Sequence, residues 1–324
     1  FALAAEIDQF KKAYPKAAIF DSNPEVVRID CSEQVPALTQ KMAPPTCELP
    51  AMADVKGLVG VLHYGYGKYT VLPDVANRPS MTTVTKANPL PAATERQFVI
   101  AGMNIENFFD DQDDPGIRED VVEKEAFDRR LEKISRAIRE FMQMPDVIGV
   151  VEAENINAVK RLASKINADA IAAGKPDPKY EAFLVEGNDG RGIDNGVLVK
   201  TSRLKVIEVK QLGKDEKYKN PVTKGEVFLN DRPPLMLRAS IENAKAGKPF
   251  EFTVIVNHLK SYSGYNDPKQ MENVRLKKKL QSEFLAKLVQ SRQKADPKER
   301  IVLIGDFNSY QFGDGILDQI GTII

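Results

Sequence analysis

The stretch IVLIGDFNSYQFGDG, residues 301–315, contains the pattern that decides the fold of this 324-residue chain. It opens with a run of apolar residues typical of a buried strand, and the run ends abruptly at Gly305-Asp306-Phe307-Asn308. Because side chains alternate along an extended chain, Asp306 and Asn308 are predicted on one side and Phe307 on the other. Asp and Asn often begin turns, but the same pair can also position a metal-bound water molecule.

Three other apolar runs end in polar residues in the same way. FVIAGMN reaches Asn104, DVIGVVE reaches Glu152, and FTVIVNH reaches Asn257 and His258. In layered α/β folds, sites form at the ends of core strands, where a rigid backbone holds a side chain in place. Carboxylates suit a hard divalent cation such as Mg²⁺, and histidine can stabilise charge on a phosphate. Together with the run that reaches Asp306, these strands predict one shared site.

A boundary between two domains is predicted near residues 86–96, because KANPLPAATER is rich in Pro and Ala and has no apolar period. Residues 1–90 are predicted to form a small β-rich N-terminal module of unknown role. We expect a helix over 4–14 and two strands around a Gly-rich turn within 57–73. Residues 96–324 are predicted to form a second, larger domain.

The larger domain shows strands that alternate with helices and a middle section made of strands only. Phe127, Leu131, Ile134 and Ile138 recur at helical spacing, and a long helix is predicted over 266–294. The predicted fold class is α/β, a layered sandwich of two packed mixed β-sheets flanked by helices. In the long helix, the lysines at 277–279 are interpreted as a solvated face. The acidic run at 110–114 is interpreted as a disordered acidic loop rather than as a second cation site.

The bulk composition limits the classes of function. Lys plus Arg and Asp plus Glu are both 46, and a net charge of zero argues against a broadly basic nucleic-acid binder, though not against a local basic groove. No apolar run approaches the length of a membrane span. Cys31 and Cys47 could form a disulfide or remain free thiols. The chain has two histidines, so a mechanism that needs histidine must use His63 or His258.

The ordered motifs N…E…RGIDNG…NHLKS…GDFN, over residues 96–324, resemble those of the endonuclease/exonuclease/phosphatase superfamily, which includes pancreatic-type deoxyribonucleases. The resemblance extends to its bacterial extracellular-nuclease branch. It implies a divalent-metal-dependent phosphodiesterase, an exported bacterial nuclease that hydrolyses DNA. It also implies Mg²⁺, or Mn²⁺ or Ca²⁺, as cofactor, nucleic acid as partner, and a secreted or periplasmic location.

The resemblance also implies a role for each matching residue. Glu152 matches the acidic metal ligand, and Asn104 matches a catalytic asparagine that helps to hold the metal site. His258 matches the histidine that contacts the scissile phosphate, while Asp306, with Asn308 beside it, matches the residues that orient the attacking water. The structural alternatives are a turn former at Asn104 and a satisfied core histidine at His258. Substrate contacts are predicted for four further residues: Arg191, Asp194, Lys260 and Arg232.

One departure from the family pattern concerns the general base. Family members end with a further strand that carries an Asp-His pair, and no such pair follows GDFN before Ile324. We therefore expect the C-terminal part of the sandwich to be missing from this chain. If the natural protein ended there, we would expect activity to be severely impaired, because loss of a general base typically costs 10²–10⁴-fold.

Two other functions remain open from the sequence. The same motifs occur in phosphatases and phospholipase C-like hydrolases of inositol phosphates or phospholipid head groups, and the zero net charge mildly favours such a substrate over long DNA. A catalytically inactive binding protein on a degenerate nuclease scaffold is the other alternative, favoured only by the missing Asp-His pair.

Overall fold

The structure is a computed structural model that describes residues 27–29, 53–65, 68–74, 80–83, 88–94, 96–241, 249–309 and 319–323. The chain divides into two compact units, Phe1–Asn88 and Pro89–Ile324. The helix expected over 4–14 and the cysteines Cys31 and Cys47 lie outside the described residues. Within the described ranges, no helix has both the length and the apolar character needed to cross a bilayer.

The Phe1–Asn88 unit is made of short strands in its described residues. They are β1 (Arg28–Ile29), β2 (Ala53–Lys56), β3 (Gly60–Gly65), β4 (Lys68–Pro73) and β5 (Ser80–Thr83). β3 pairs antiparallel with β4, which pairs parallel with β1, and β2 pairs antiparallel with β5. The two strands predicted within 57–73 are confirmed.

The Pro89–Ile324 unit carries longer elements. Its strands are β6 (Ile100–Phe108), β7 (Val147–Ala153), β8 (Tyr180–Leu184), β9 (Asp194–Lys200), β10 (Leu204–Gln211), β11 (Lys217–Lys219), β12 (Glu226–Phe228), β13 (Leu235–Ile241), β14 (Phe250–His258) and β15 (Ile301–Asp306). Its helices are α1 (Lys124–Arg136), which continues as a π-helical turn over Ala137–Phe141, α2 (Ile156–Ala172), α3 (Met271–Ala295) and α4 (Gln319–Ile323).

Two four-stranded sheets form the centre of this unit, in the orders β6-β7-β9-β8 and β10-β13-β14-β15, beside a two-stranded sheet β11-β12. β6 runs parallel to β7 and β14 parallel to β15, whereas the other pairs in the two larger sheets are antiparallel. The predicted sandwich of mixed sheets with helices is confirmed.

The buried apolar side chains divide into three layers. Between the two sheets, Val151 and Val197 pack with Leu237 and Val254. The helices α1 and α2 lie on the outer face of the first sheet. In α1, the helical spacing of apolar residues predicted the buried side chains correctly, as at Phe127. On the outer face of β15 lie α3 and α4. The result is a four-layer sandwich with two central sheets.

The start and inner face of α3 differ from the sequence prediction. The helix begins at Met271 rather than at 266, because Asp267 accepts hydrogen bonds from Lys269 N and Gln270 Nε2 in a turn. The solvated face predicted at 277–279 is wrong at two of its three positions, since the Lys277 and Lys278 side chains are buried. Both side chains point from α3 into the interior of the domain, and the sequence pattern did not reveal this.

Gly305 allows β15 to lie directly against β14. Its φ is +119°, and a Cβ built there would lie 2.0 Å from the backbone oxygen of Asn257, its partner in the parallel register. Both the left-handed backbone and the close approach therefore require glycine one residue before Asp306.

We expect Gly305→Ala to lower the free energy of unfolding by about 3 kcal/mol or more, because the strain is relieved only if β15 moves away from β14. Urea denaturation followed by circular dichroism measures this. Gly225→Ala is the control, since its nearest neighbour would be 3.8 Å away, and we expect a change within about 0.5 kcal/mol. Equal losses in the two variants would contradict the role given to Gly305.

Candidate active site

Four of the predicted residues meet where the regular pairing of β6 with β7 ends and at the carboxyl ends of β7, β14 and β15. Asn104 Nδ2 donates to Glu152 Oε1 at 3.0 Å and to Asp306 Oδ2 at 3.2 Å. His258 Nε2 lies 3.7 Å from the same Glu152 oxygen. Each sheet contributes two residues, so the site exists only where the two sheets face each other.

A β-bulge turns Glu152 toward this site. Along β7, Ile148 and Val150 pack under the helices, and simple alternation would send residue 152 to the same side. Instead, the register of β7 against β9 shifts between Val151 and Ala153, and Glu152 has φ +63°. A bulge is a common way to redirect a side chain beside an active site. Asn107 N donates to Glu152 Oε2 at 2.9 Å and so fixes the carboxylate.

The segment after β15 forms a tight turn that holds Asp306. Asn308 N donates to Asp306 Oδ1 at 2.8 Å, which leaves Oδ2 directed toward Asn104. Asn308 has φ +47°, and its Nδ2 donates to Leu259 O at 3.0 Å. Phe307 packs in the cluster beside α3 and α4, on the opposite side from Asp306. Asn308 therefore links the chain after β15 to the chain after β14.

His258 is buried beneath the carboxylates, with 5% of its surface exposed. Burial, aided by the positive charge of Arg232, lowers the pKa of His258 to about 4, against the opposing charges of Asp306 and Glu152. The imidazole is therefore neutral at pH 7 and carries one N–H donor. Its Nδ1 has no hydrogen-bond partner among the described residues.

The donor set fits a hard divalent cation. Carboxylate oxygens of Glu152 and Asp306 converge on one amide group, and neither carboxylate pairs with a lysine or arginine of the described residues. Two convergent carboxylates beside a neutral histidine are an arrangement that Mg²⁺ or Mn²⁺ would stabilise. Asn104 here presents its nitrogen to the carboxylates and its Oδ1 to Glu106 N at 2.8 Å. Turning this amide over would present the oxygen instead.

The predicted substrate residues Arg191 and Arg232 meet at Asp189. Arg191 Nη2 lies 3.1 Å from Asp189 Oδ2 and is more than half exposed, whereas the buried Arg232 Nη1 lies 2.7 Å from the same oxygen. Arg232 also donates to the backbone oxygens of His258 at 3.5 Å and Leu259 at 3.3 Å. Arg191 is thus exposed to solvent and its contact with substrate stays a prediction, whereas Arg232 supports the chain at His258.

Lys260 and Asp194 lie in different surroundings from the central four residues. Lys260 is half-buried, and its Nζ donates to Ser263 O at 3.0 Å. Asp194 is 2% exposed at the start of β9, beside Gly187 and Glu186. Burial and the charge of Glu186 raise the pKa of Asp194 well above its usual range. Such a buried carboxyl group offers little surface to a substrate, and its role in binding stays a prediction.

Two cationic residues that the sequence analysis did not assign to the site hold the backbone around it. Arg130 of α1 donates to the carbonyl oxygens of Ile105, Glu106 and Asn107, the segment that follows Asn104. Lys278 of α3 donates to Lys260 O at 3.0 Å and to Asn308 O at 2.7 Å. A lone arginine or lysine in a helix gives no sequence signal for such a role, because the acceptors come from distant segments.

A second group of carboxylates includes Glu154, two residues after Glu152 in the chain. Asp114, Glu119 and Glu154 each place an oxygen within 4.8 Å of the others. Burial raises the pKa of Glu154 to about 8. The interpretation of 110–114 as a disordered loop is wrong, because Asp110 is buried with its N donating to Glu154 Oε2 at 2.5 Å.

Comparison with family models matches residues 99–319, about two thirds of the chain, to the Endonuclease/Exonuclease/phosphatase family. The chain belongs to the endonuclease/exonuclease/phosphatase family. Members of this family are divalent-metal-dependent hydrolases, and the chain has their fold. The matched range contains all four residues that meet at the strand ends.

Solved structures of the endonuclease/exonuclease/phosphatase fold resemble the chain at low identity. A hairpin-deletion mutant of beta toxin from Staphylococcus aureus is 16% identical over 71% of this chain and 73% of that chain, with a TM-score of 0.44. A Bacteroides thetaiotaomicron mannosyl-6-phosphatase is 14% identical over 70% of each chain, with a TM-score of 0.40. A humanised TDP2 from D. rerio is 13% identical over 70% of this chain, with a TM-score of 0.38, and this chain spans 66% of its length. No curated protein matches the chain significantly.

For this member of the endonuclease/exonuclease/phosphatase family, we expect Glu152→Gln to weaken Mn²⁺ binding about 100-fold or more, the upper end for loss of a supporting group at a metal site. Glutamine keeps the size of the side chain and an acceptor for Asn107 N but removes the charge. Isothermal titration calorimetry with Mn²⁺ measures the affinity, and Glu181→Gln, at an exposed position on β8, is the control. Unchanged affinity in Glu152→Gln would place the cation elsewhere, with the Asp114–Glu119–Glu154 group the next to test.

Proposed function

We propose that the protein hydrolyses phosphodiester bonds of DNA at this site, in a reaction that requires a divalent cation. The observation that carries the proposal is the convergence of four side chains from four strands: Asn104, Glu152, His258 and Asp306. Phosphodiester hydrolysis needs charge neutralisation, an aligned water molecule and donors to the developing negative oxygens. These four side chains supply the cation site, one donor and part of the group that positions the water, all within one small region.

Each residue has a task that its position allows. Glu152 and Asn104 would hold the cation, which supplies charge neutralisation and polarises the phosphate when bound. Asp306 Oδ2 accepts a hydrogen bond from the attacking water and orients it, since Oδ1 is already engaged by Asn308 N. The neutral His258 donates its one N–H to a phosphate oxygen, which gains negative charge in the transition state.

The surroundings of His258 support a polynucleotide substrate. The loop that follows it carries Tyr265, and the Arg275 guanidinium lies 5.2 Å from the centroid of the Tyr265 ring. Aromatic rings and cations side by side are what single-stranded nucleic acids bind through stacking and phosphate contacts. The resemblance of NHLKS and GDFN to bacterial extracellular nucleases favours DNA and, with it, a secreted or periplasmic location.

A smaller phosphoester, such as an inositol phosphate or a phospholipid head group, is the second candidate. The net charge of zero favours it, because binding of long DNA relies on many Lys and Arg contacts with phosphates. The two candidates differ in their response to salt. Activity on DNA falls steeply between about 50 and 200 mM salt, whereas activity on a small phosphoester changes little. A binding protein without activity is disfavoured, because such a scaffold has no need to keep all four converging residues.

We expect the intact protein to nick supercoiled plasmid DNA with Mg²⁺, Mn²⁺ or Ca²⁺ and to stop when EDTA is added. Glu152→Ala should abolish nicking. His258→Asn should slow it at least about 100-fold, as loss of a donor to a developing oxyanion does. Gel electrophoresis of the plasmid forms measures the rate.

The other histidine of the chain provides a matched control. His63 lies in β3 of the Phe1–Asn88 unit, so His63→Asn should nick DNA at the native rate. Metal binding without cleavage of DNA would move the proposal to the smaller phosphoesters. Native rates in both Glu152→Ala and His258→Asn would contradict the assignment of this site.

A further inference from the structure

Lys278 is a lysine whose side chain is fully buried next to the proposed active site. Of the three consecutive lysines in α3, only Lys279 has the exposed side chain usual for lysine. Lys277 is buried too, but its Nζ lies 2.6 Å from Asp231 Oδ1, so its charge is paired. Lys278 is 0% exposed and forms no ion pair with any carboxylate of the described residues.

Backbone oxygens and an aromatic ring surround the Lys278 ammonium group instead. Its Nζ donates to Lys260 O at 3.0 Å and to Asn308 O at 2.7 Å, and it lies 3.9 Å from the centroid of the Tyr262 ring. An ammonium group has three donors and no acceptor. Two carbonyl groups and the face of an aromatic ring are therefore a suitable set of partners in the absence of a carboxylate.

The two carbonyl groups belong to different segments of the site. Lys260 comes two residues after His258, and Asn308 comes two residues after Asp306. His258 and Asp306 are the last pair in the parallel register of β14 and β15. Beyond this pair the regular ladder ends. There, Lys278 bridges the segment after β14 and the segment after β15.

The cost of this arrangement indicates a purpose other than stability. Taking an ammonium group out of water is unfavourable, and an apolar side chain of similar volume often fills such a position at least as well. Burial, together with the charge of Lys260, lowers the pKa of Lys278 to about 8 against the opposing charge of Asp306. The group therefore still carries its proton at pH 7 and keeps all its donors.

We propose that Lys278 is a positioning residue: by holding the backbone oxygens of Lys260 and Asn308, it fixes His258 and Asp306 relative to each other for phosphodiester hydrolysis. This inference rests on the function proposed above. Lys278 itself does not touch the substrate, because its side chain is completely enclosed. Its effect reaches the reaction only through the backbone of the two segments that it joins.

Three substitutions in α3 separate this role from general destabilisation. Lys278→Met keeps the length of the side chain but removes the donors and the charge. Lys277→Met removes a buried lysine whose partner is Asp231, and Lys279→Met removes an exposed one. For each variant we would measure kcat and KM on a fluorescent DNA duplex, Mn²⁺ affinity by calorimetry, and the melting temperature.

We expect Lys278→Met to lower kcat about 10- to 100-fold, as loss of a supporting group or misplacement by about 1 Å does. KM should stay close to native, and Mn²⁺ affinity should fall much less than in Glu152→Gln, because Glu152 and Asn104 lie on the other sheet. Lys278→Arg, which keeps charge and donors, should recover most of the lost kcat. Lys277→Met should lower the melting temperature and keep kcat, and Lys279→Met should match the native protein in both.

Four results would overturn the inference. They are native kcat in Lys278→Met, a rise in KM without a change in kcat, an equal loss of kcat in Lys277→Met, and no recovery in a folded Lys278→Arg. If Lys278→Met does not fold, Lys278→Gln takes its place. A folded Lys278→Gln with native kcat would then overturn it. A native protein that hydrolyses no DNA overturns the proposed function as well, whereas an active native protein with an unaffected Lys278 variant overturns only this inference.

Discussion

Cationic side chains that hold backbone carbonyl groups are the interaction on which the rest of the site depends. Regular sheet hydrogen bonding stops where the strands end, and the carbonyl groups beyond that point need other donors. Arg130 supplies them after Asn104, Arg232 at His258, and Lys278 in the segments beyond His258 and Asp306. Each cation comes from a neighbouring element, so packing around the site helps to set the backbone after Asn104, His258 and Asp306. The backbone that carries Asn104, His258 and Asp306 is thus held by side chains of neighbouring elements.

Such support is needed because the strand ends adopt unfavourable conformations. Glu106, Asn107, Glu152 and Asn308 all have positive φ without being glycine. A left-handed backbone costs about 1–2 kcal/mol per residue, and an isolated segment would relax toward ordinary strand geometry. The docked sheets and the cationic donors offset that cost. The bulge at Glu152 turns its carboxylate toward the site, whereas strand alternation alone would have put it under the helices.

The sequence predicted those parts of the structure that are local and periodic. Apolar runs ending in polar residues identified the four strand ends, and helical spacing identified the buried face of α1, as at Phe127. The parts it could not predict arise from contacts between distant segments. Three adjacent lysines look alike in sequence, yet docking of α3 leaves Lys279 in water and encloses Lys278. Likewise, Asp194 lies in a motif typical of substrate contacts, but the fold buries it beside another carboxyl group.

Because the site is divided between two sheets, it forms only when the chain has folded. Asn104 and Asp306 are hydrogen-bonded across 202 positions of sequence, and contacts of such long range form late because closing a long loop is entropically unfavourable. Neither sheet alone contains the complete set of groups. A nascent, threaded or partly unfolded chain therefore has no assembled site, and the four groups come together only after the two halves of the sandwich have closed on each other.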